Sequence, residues 1–184
     1  MKRVLVTGAN GFLGKHLITE LVNQNYQIVA VSRRGLQPKF PHTKKIIDCK
    51  ISLSDRDALG QVMNEVVAVV HLAGMVSRKE EDYAKMYELH VTATEELLRL
   101  AAKKNIKNII YLSSSGTLAC SGSSSDIPNE DTQFAEKIVN RWGYYKTKII
   151  AERNVGELAR ELDLNVVTIN PSLFLGPGDD AFSS

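Results

Sequence analysis

The sequence is poor in the features that mark metal sites, disulfide scaffolds and membrane spans. Its 184 residues include only two cysteines, Cys49 and Cys120, which have neither metal-ligand spacing nor a nearby pair of histidines. We therefore expect reduced thiols. The sequence has no run of about 18 apolar residues, so no membrane partner is expected. Met1 to Arg3 lead directly into a predicted strand rather than a signal peptide, which predicts a cytoplasmic protein.

An excess of one charge is also lacking. The 23 lysines and arginines nearly balance the 21 aspartates and glutamates, for a formal net charge of +2. This balance gives no reason to expect nucleic acid or a membrane surface as a partner. A content of 43% hydrophobic and 24% charged residues is ordinary for a globular protein. The length suffices to bury a sizeable core, so we predict one domain over residues 1–184.

Short runs rich in valine and isoleucine alternate with helical patterns along the chain. The predicted strands are 3–7, 27–32, 44–48, 66–71, 106–113 and 165–170. Helices are predicted over 13–24, 55–64, 81–104 and 143–162, the second capped by Ser54 or Asp55. This alternation predicts an α/β fold with a doubly wound parallel sheet, the Rossmann fold, in strand order 3-2-1-4-5-6. A serine-rich segment, 121–126, is predicted to be a mobile loop beside the ligand crevice.

A glycine-rich turn follows the first predicted strand and opens onto a helical pattern. Glycine at its first position can take the tight turn, at its second admits a phosphate close to the backbone, and at its third allows the helix to pack near the sheet. The N–H groups of the helix N-terminus then face an anion. The turn predicts a pyrophosphate site, with a plain glycine-rich turn as the alternative. Its residues are Gly8, Asn10, Gly11, Phe12, Leu13 and Gly14.

The end of the second predicted strand indicates which dinucleotide is preferred. Proteins that prefer NAD place a carboxylate there, about 20 residues beyond the glycines, whereas this chain has Ser32, Arg33 and Arg34. Arg33 can bind a 2′-phosphate through paired N–H donors, Ser32 can add a hydroxyl, and Arg34 either contributes or faces water. The sequence therefore predicts NADP (NADPH) over NAD. The alternative is that both arginines are only solvated surface.

A second group of residues could carry out proton transfer. Tyr144 and Lys148 are four residues apart in a predicted helix and so share a face. A phenol with a pKa near 10 is a poor acid or base at neutral pH until a neighbouring ammonium stabilises its anion. A hydroxyl from the triple serine 113–115 could hold a substrate carbonyl for protonation by Tyr144 while hydride arrives from a nicotinamide. The alternative is a chance spacing with Tyr144 as a core aromatic.

Five ordered motifs together resemble the extended short-chain dehydrogenases/reductases, also described as NAD(P)-dependent epimerases and dehydratases. The resemblance covers the whole chain and is strongest to the dihydroflavonol-reductase and 3β-hydroxysteroid-dehydrogenase branch, whose members reduce or oxidise a carbonyl carbon. Sugar-nucleotide epimerases are the nearest rival branch. The motifs are Thr7-Gly8-x-x-Gly11-x-x-Gly14, His71-Leu72-Ala73-Gly74, Ser113-Ser114-Ser115, Tyr144-x-x-x-Lys148, and Asn170-Pro171-Ser172 followed by Gly176-Pro177-Gly178-Asp179.

The resemblance implies a role for each matched residue. Tyr144 would be the acid/base, and Lys148 would bind the nicotinamide ribose and lower the tyrosine pKa. Ser114 would supply the catalytic hydroxyl, with Ser115 and Thr117 as fallbacks. The cofactor would also contact the residues after the fourth and sixth strands, namely Leu72, Ala73, Gly74, Pro171 and Ser172.

The sequence departs from the family pattern at three places. His90 stands where the family usually has Asn in the long helix, and it is either a packing residue or part of a proton relay. Where the family often has an Asp after the third strand that holds adenine, this chain reads Asp48-Cys49-Lys50-Ile51, with a register uncertain by two residues. Asn170 replaces the Arg that commonly precedes Pro171.

Extended members of the family continue for well over a hundred residues, which form a substrate lobe. We therefore expect this chain to be a fragment that lacks that lobe, with substrate identity specified outside it. The resemblance also implies a small-molecule substrate and a possible homodimer through paired long helices. Two function classes stay open: an NADP-dependent oxidoreductase, with epimerase or dehydratase chemistry as its variant, and a non-catalytic NADP-sensing module.

Overall fold

The computed structural model describes residues 1–37, 44–118, 128–139 and 141–178. Six parallel strands form one sheet and, numbered along the chain, lie in the order 3-2-1-4-5-6, which confirms the predicted fold class and strand order. The predictions for Cys120, the serine-rich segment 121–126 and Asp179 lie outside the described residues. The strands are β1 (Arg3–Thr7), β2 (Gln27–Ser32), β3 (Ile46–Lys50), β4 (Val66–His71), β5 (Asn108–Leu112) and β6 (Asn165–Ile169).

The helices occupy both faces of the sheet. The predicted helix over 81–104 is a continuous helical segment, but a π-helical turn, Glu88–Thr92, separates its two α-helical parts. A 3₁₀ turn, Glu80–Asp82, stands at the predicted start of this helix, and the 3₁₀ turn Ser115–Thr117 and the short helix Glu136–Val139 were not predicted. The α-helices are α1 (Phe12–Asn23), α2 (Arg56–Val62), α3 (Tyr83–Tyr87), α4 (Ala93–Lys103), α5 (Glu136–Val139) and α6 (Gly143–Glu161).

The third strand lies two residues later than its apolar pattern suggested. Ile28 of β2 pairs with Ile46 of β3, and the Ile28 N–H donates to the carbonyl of Lys45, so pairing begins only there. The predicted strand 44–48 is therefore wrong at both ends. The side chain of Asp55 caps α2 as predicted, because its carboxylate accepts a hydrogen bond from the Ala58 N–H at 3.0 Å.

Two apolar layers hold the helices against the sheet. Helices α2, α4 and α6 bury one layer against the sheet, including the fully buried Leu5 and Val69. Helix α1 covers the other face over Val6 and Ile28. The carboxyl ends of β1 and β4 lie side by side between these layers, because the last residues of the two strands pair with each other.

Within the described ranges, no helix has the length and apolar character needed to cross a membrane. The same ranges contain no group of three or more His, Cys, Asp or Glu side chains placed to hold a metal ion. Cys49 is a buried free thiol.

Candidate active site

The glycine turn after β1 is shaped so that side chains are excluded at two of its positions. Gly8 has φ +66°, and a Cβ there would lie 2.8 Å from the backbone nitrogen of Ala73. A Cβ on Gly14 would lie 2.4 Å from the carbonyl oxygen of Gly8, well inside van der Waals contact. Gly11 is the N-cap of α1, and its N–H donates to the Gly8 carbonyl at 2.9 Å. Strand end, turn and helix N-terminus are thus held in close contact.

A pocket of about 550 Å³ runs across the carboxyl ends of β1 to β4. Nine of the predicted cofactor residues line it: Gly8, Asn10, Gly11, Ser32, Arg33, Arg34, Leu72, Ala73 and Gly74. Other predicted cofactor residues lie outside its lining. They are Phe12, Leu13, Gly14, Tyr144, Lys148, Pro171 and Ser172.

The residues after β3 form a pocket wall whose position was predicted only in part. Ile51, Ser52 and Leu53 line the pocket, whereas Asp48 does not. The carboxylate of Asp48 instead accepts the Leu36 N–H at 3.0 and 3.1 Å, which fixes the turn that follows Arg34. The structure thus places residues 51–54, rather than Asp48, in the pocket, and the later position of β3 explains the difference.

The pocket fits a dinucleotide on two observations. The glycine turn leaves a backbone cradle that a Cβ at Gly8 or Gly14 would fill. Asn10 Oδ1 and Ser32 Oγ are buried in the pocket wall, and neither has a hydrogen-bond partner among the described residues. Buried polar atoms are costly to leave unpaired, so both atoms are suited to a polar ligand.

The three predicted catalytic residues come together beside this pocket, between β5 and α6. The buried Ser114 hydroxyl hydrogen-bonds Tyr144. The Lys148 ammonium donates to the Leu112 carbonyl at 2.8 Å, and it lies within 3.8 Å of where a Cβ on Gly74 would be. Because Gly74 lines the pocket, Lys148 reaches its edge.

The sequence profile of the NAD dependent epimerase/dehydratase family matches residues 4–184. The chain belongs to this family. The resemblance to extended short-chain dehydrogenases/reductases is thereby confirmed.

Two relatives within the family are named as reductases. The chain is 28% identical to cinnamoyl-CoA reductase 1 of Petunia hybrida, over 95% of this chain and 55% of that protein. It is 29% identical to a putative dihydroflavonol 4-reductase of Synechocystis sp., over 95% of this chain and 50% of that protein. The chain spans about half the length of the relatives that it matches.

A solved structure of a sugar-nucleotide epimerase has the same fold. The UDP-glucose 4-epimerase of Thermus thermophilus, solved in complex with NAD, superposes with a TM-score of 0.79 at 20% identity. The superposition covers 91% of this chain and 54% of the epimerase. At this identity the likeness concerns the fold alone.

Burial shifts the pKa values of the tyrosine and lysine in opposite directions. The pKa of Tyr144 is raised because burial disfavours the phenolate, an effect that the hydrogen bond with Ser114 partly offsets. This direction is opposite to the predicted lowering by Lys148, whose ammonium donates to Leu112 instead. Burial lowers the pKa of Lys148 to about 8, against the opposing effect of the Glu152 carboxylate. Lys148 is therefore mostly charged at neutral pH.

His90 is hydrogen-bonded to two parts of the site, one through each ring nitrogen. Its Nε2 accepts the Met75 N–H at 3.0 Å, so the ring proton lies on Nδ1 and is donated to the Thr147 hydroxyl at 2.8 Å. The Thr147 hydroxyl in turn donates to the Tyr144 carbonyl at 2.9 Å. These contacts support the packing interpretation of His90 rather than the proton relay.

His71, which the sequence analysis used only as part of a motif, links the glycine turn to α4. Its Nδ1 lies 2.6 Å from the Thr7 hydroxyl, and its Nε2 lies 2.9 Å from the Thr94 hydroxyl. Thr7 also accepts the Ala73 N–H at 3.2 Å. The apolar pattern of a strand gives no signal for such a partner 23 residues away.

Acid should destabilise the fold through these two histidines. Burial, together with the nearby Lys148 charge, lowers the pKa of each from 6.5 to about 3. Unfolding therefore takes up protons between these pH values, so the stabilisation is complete above pH 6.5 and is lost as the pH falls towards 3. We expect the free energy of unfolding to fall by up to about 1.4 kcal/mol per pH unit for each histidine in this window.

Urea unfolding between about pH 7 and pH 4 measures this slope. His90→Gln should lower stability at neutral pH but show a shallower pH dependence, whereas the exposed His16→Gln should keep the wild-type slope. Equal slopes in the wild type and His90→Gln would contradict the prediction.

Proposed function

We propose that this chain is the NADP-binding part of an oxidoreductase that reduces or oxidises a carbonyl or alcohol carbon of a small molecule. The observation that carries the proposal is the meeting of Ser114, Tyr144 and Lys148 beside the pocket, next to Gly74. The names of the reductase relatives agree with this reaction class. The bound cofactor would supply or accept hydride.

The pocket residues would bind and orient the dinucleotide. The N–H groups at the glycine turn and at the start of α1 would hold the pyrophosphate. Asn10 Oδ1 and Ser32 Oγ would gain partners that they lack among the described residues. The exposed Arg33 would bind the 2′-phosphate, and Lys148 would hold the nicotinamide ribose at the far end of the pocket.

Tyr144 would donate or accept the proton of the reaction. In the reducing direction, the Ser114 hydroxyl donates to the substrate carbonyl oxygen, and Tyr144 passes its phenolic proton to that oxygen as the carbonyl carbon accepts hydride. The raised pKa of Tyr144 keeps the phenol protonated before the reaction. The Lys148 ammonium then stabilises the phenolate that remains, and in the oxidising direction the phenolate takes the alcohol proton.

The preference for NADPH should depend on Arg33. A charge-assisted hydrogen bond contributes about 1.5–3 kcal/mol, so Arg33→Ala should weaken NADPH binding by roughly 10- to 100-fold and leave NADH binding nearly unchanged. Calorimetric titration of both cofactors checks this. Arg160→Ala, which replaces an exposed arginine on α6, is the matched control and should change neither affinity. Equal NADPH and NADH affinities in the wild type would overturn the NADP assignment.

The epimerase or dehydratase alternative is compatible with the same family and with the superposed epimerase. A reductase consumes NADPH stoichiometrically with its carbonyl substrate, whereas an epimerase leaves the cofactor unchanged over a full cycle. A sensing module would bind NADPH without any turnover. Assays of NADPH consumption with a panel of ketones, aldehydes and sugar nucleotides, using the protein that contains this chain, separate the three.

A further inference from the structure

A glutamate that has no role in the proposed reaction accepts several hydrogen bonds from residues around the site. Glu152 lies on α6 one turn beyond Lys148, so the two side chains share a face of the helix. Its carboxylate accepts hydrogen bonds from Ser113 Oγ, from Thr117 Oγ1 at 2.8 Å and from Asn170 Nδ2 at 3.0 Å. These three partners follow β5, lie in the 3₁₀ turn and follow β6, respectively.

The partners of Glu152 also fix the backbone at Ser114. The Thr117 hydroxyl lies 2.8 Å from the Ser114 carbonyl oxygen, and Asn170 Nδ2 lies 3.3 Å from the same atom. Ser113 is the preceding residue, and both Ser113 and Thr117 are buried. Glu152 is therefore the shared acceptor of a network that surrounds Ser114 from three elements.

The charge of Glu152 acts on Lys148 as well. The titratable groups that interact with the Lys148 ammonium are His71 on β4, His90 in the π-helical turn, Tyr111 on β5 and Glu152 on α6, and Tyr144 lies one turn before Lys148 on α6. The two histidines are neutral at neutral pH because their pKa values are about 3. Both tyrosines have raised pKa values and are neutral too. Among these groups, Glu152 supplies the negative charge.

We propose that Glu152 is a positioning residue, whose carboxylate fixes Ser114 through Ser113, Thr117 and Asn170 and holds the ammonium of Lys148 by its charge. The expected effect of Glu152 on catalysis rests on the proposed function. Its expected effects on Ser114 and Lys148 rest on the network alone, so they can be tested without cofactor or substrate.

The first test measures Lys148 itself in the unliganded protein. The lysine Cε signals are followed by NMR through a pH titration, and the Lys148 signal is assigned by its loss in Lys148→Met. Glu152→Gln should lower the Lys148 pKa by about one or more from its value of about 8. Glu157→Gln, which changes an exposed glutamate on the same helix, is the control and should leave it unchanged. An unchanged Lys148 pKa in folded Glu152→Gln would overturn the inference.

The second test measures turnover, once a substrate is found. Glu152→Gln should lower kcat by roughly 10- to 100-fold, because a small displacement of Ser114 misaligns the substrate. The alkaline limb of the kcat profile should move to lower pH by the amount measured for Lys148. A merely structural role would lower the yield of folded protein without moving that limb, and this result would contradict the proposal. Glu152→Asp, which keeps the charge, should restore the limb.

Two further variants test the same network in case Glu152→Gln does not fold. Ser113→Ala removes one hydrogen bond to the carboxylate, Asn170→Ala removes the hydrogen bonds from Asn170 Nδ2 to its two oxygens, and both variants keep its charge. Lower kcat with an unchanged Lys148 pKa supports the proposal, and wild-type kcat in both variants overturns it. One outcome separates the two proposals. A fall of the Lys148 pKa in Glu152→Gln, together with a wild type that has no turnover dependent on Tyr144, would refute the proposed function and support the structural inference.

Discussion

Replacing Tyr144 by phenylalanine should lower kcat by roughly 10²- to 10⁴-fold, the usual contribution of a positioned general acid. NADPH affinity should stay within about twofold, because the change deletes one hydroxyl and little packing. The phenol hydroxyl interacts with Ser114, so that pair loses its shared hydrogen bond while the aromatic contact with His90 remains. Steady-state kinetics and calorimetric titration on the same preparations measure both effects.

The neighbouring Tyr145 offers a matched control. Its ring packs against Gly116, where a Cβ would lie 2.0 Å from it, and it belongs to a small apolar cluster with Val139. Tyr145→Phe should therefore keep kcat within about twofold of the wild type. Retention of most activity in Tyr144→Phe would show that another group transfers the proton, and His90 would be examined first.

Replacing Gly14 by alanine should have the largest effect on cofactor binding. The added Cβ would lie 2.4 Å from the Gly8 carbonyl oxygen and 2.8 Å from that of Ala9, so α1 has to move away from the turn. We expect NADPH affinity to fall by roughly 100-fold, because the N–H groups no longer converge on one point. The free energy of unfolding should fall by about 1–3 kcal/mol, the usual cost of overpacking.

The same substitution at a second helical glycine is the control, because it adds a methyl group without a clash. Gly156 lies in α6, and a Cβ there would meet no atom within 4 Å. Gly156→Ala should stabilise the chain by about 0.5–1 kcal/mol and leave NADPH affinity unchanged. The cradle interpretation would fail should Gly14→Ala resemble Gly156→Ala in both measurements.

Most of the sheet was predictable because each central strand is marked by its own apolar run in the sequence. Strands β1, β2 and β4 have the bounds predicted from their apolar runs, since each is largely buried on both faces. Strand β3 is at the edge of the sheet, and its pattern does not specify its ends. Ile47 is exposed and only Cys49 is buried, so pairing with β2 sets the register instead of burial.

The site was predictable only where a motif is contiguous. The glycine turn and the spacing of Tyr144 and Lys148 are read from residues that are close together in the sequence. Glu152 gives no such signal, because its partners Ser113 and Asn170 are 39 and 18 residues away along the chain. The raised pKa of Tyr144 was also unpredictable, because it depends on burial by residues from several elements.

The π-helical turn Glu88–Thr92 joins α3 and α4, which pack against two different surfaces. Before it, Met86 packs against Gly143 at the start of α6, and after it, Leu97 is buried against the sheet. A π-helical turn holds one residue more than an α-helical turn, so loss of one residue inside it would convert it to regular α-helix and leave both surfaces in place, whereas gain of one residue in α4 would rotate everything beyond it by about 100°. We therefore expect the chain to lose a residue within Glu88–Thr92 more readily than it can gain one in α4.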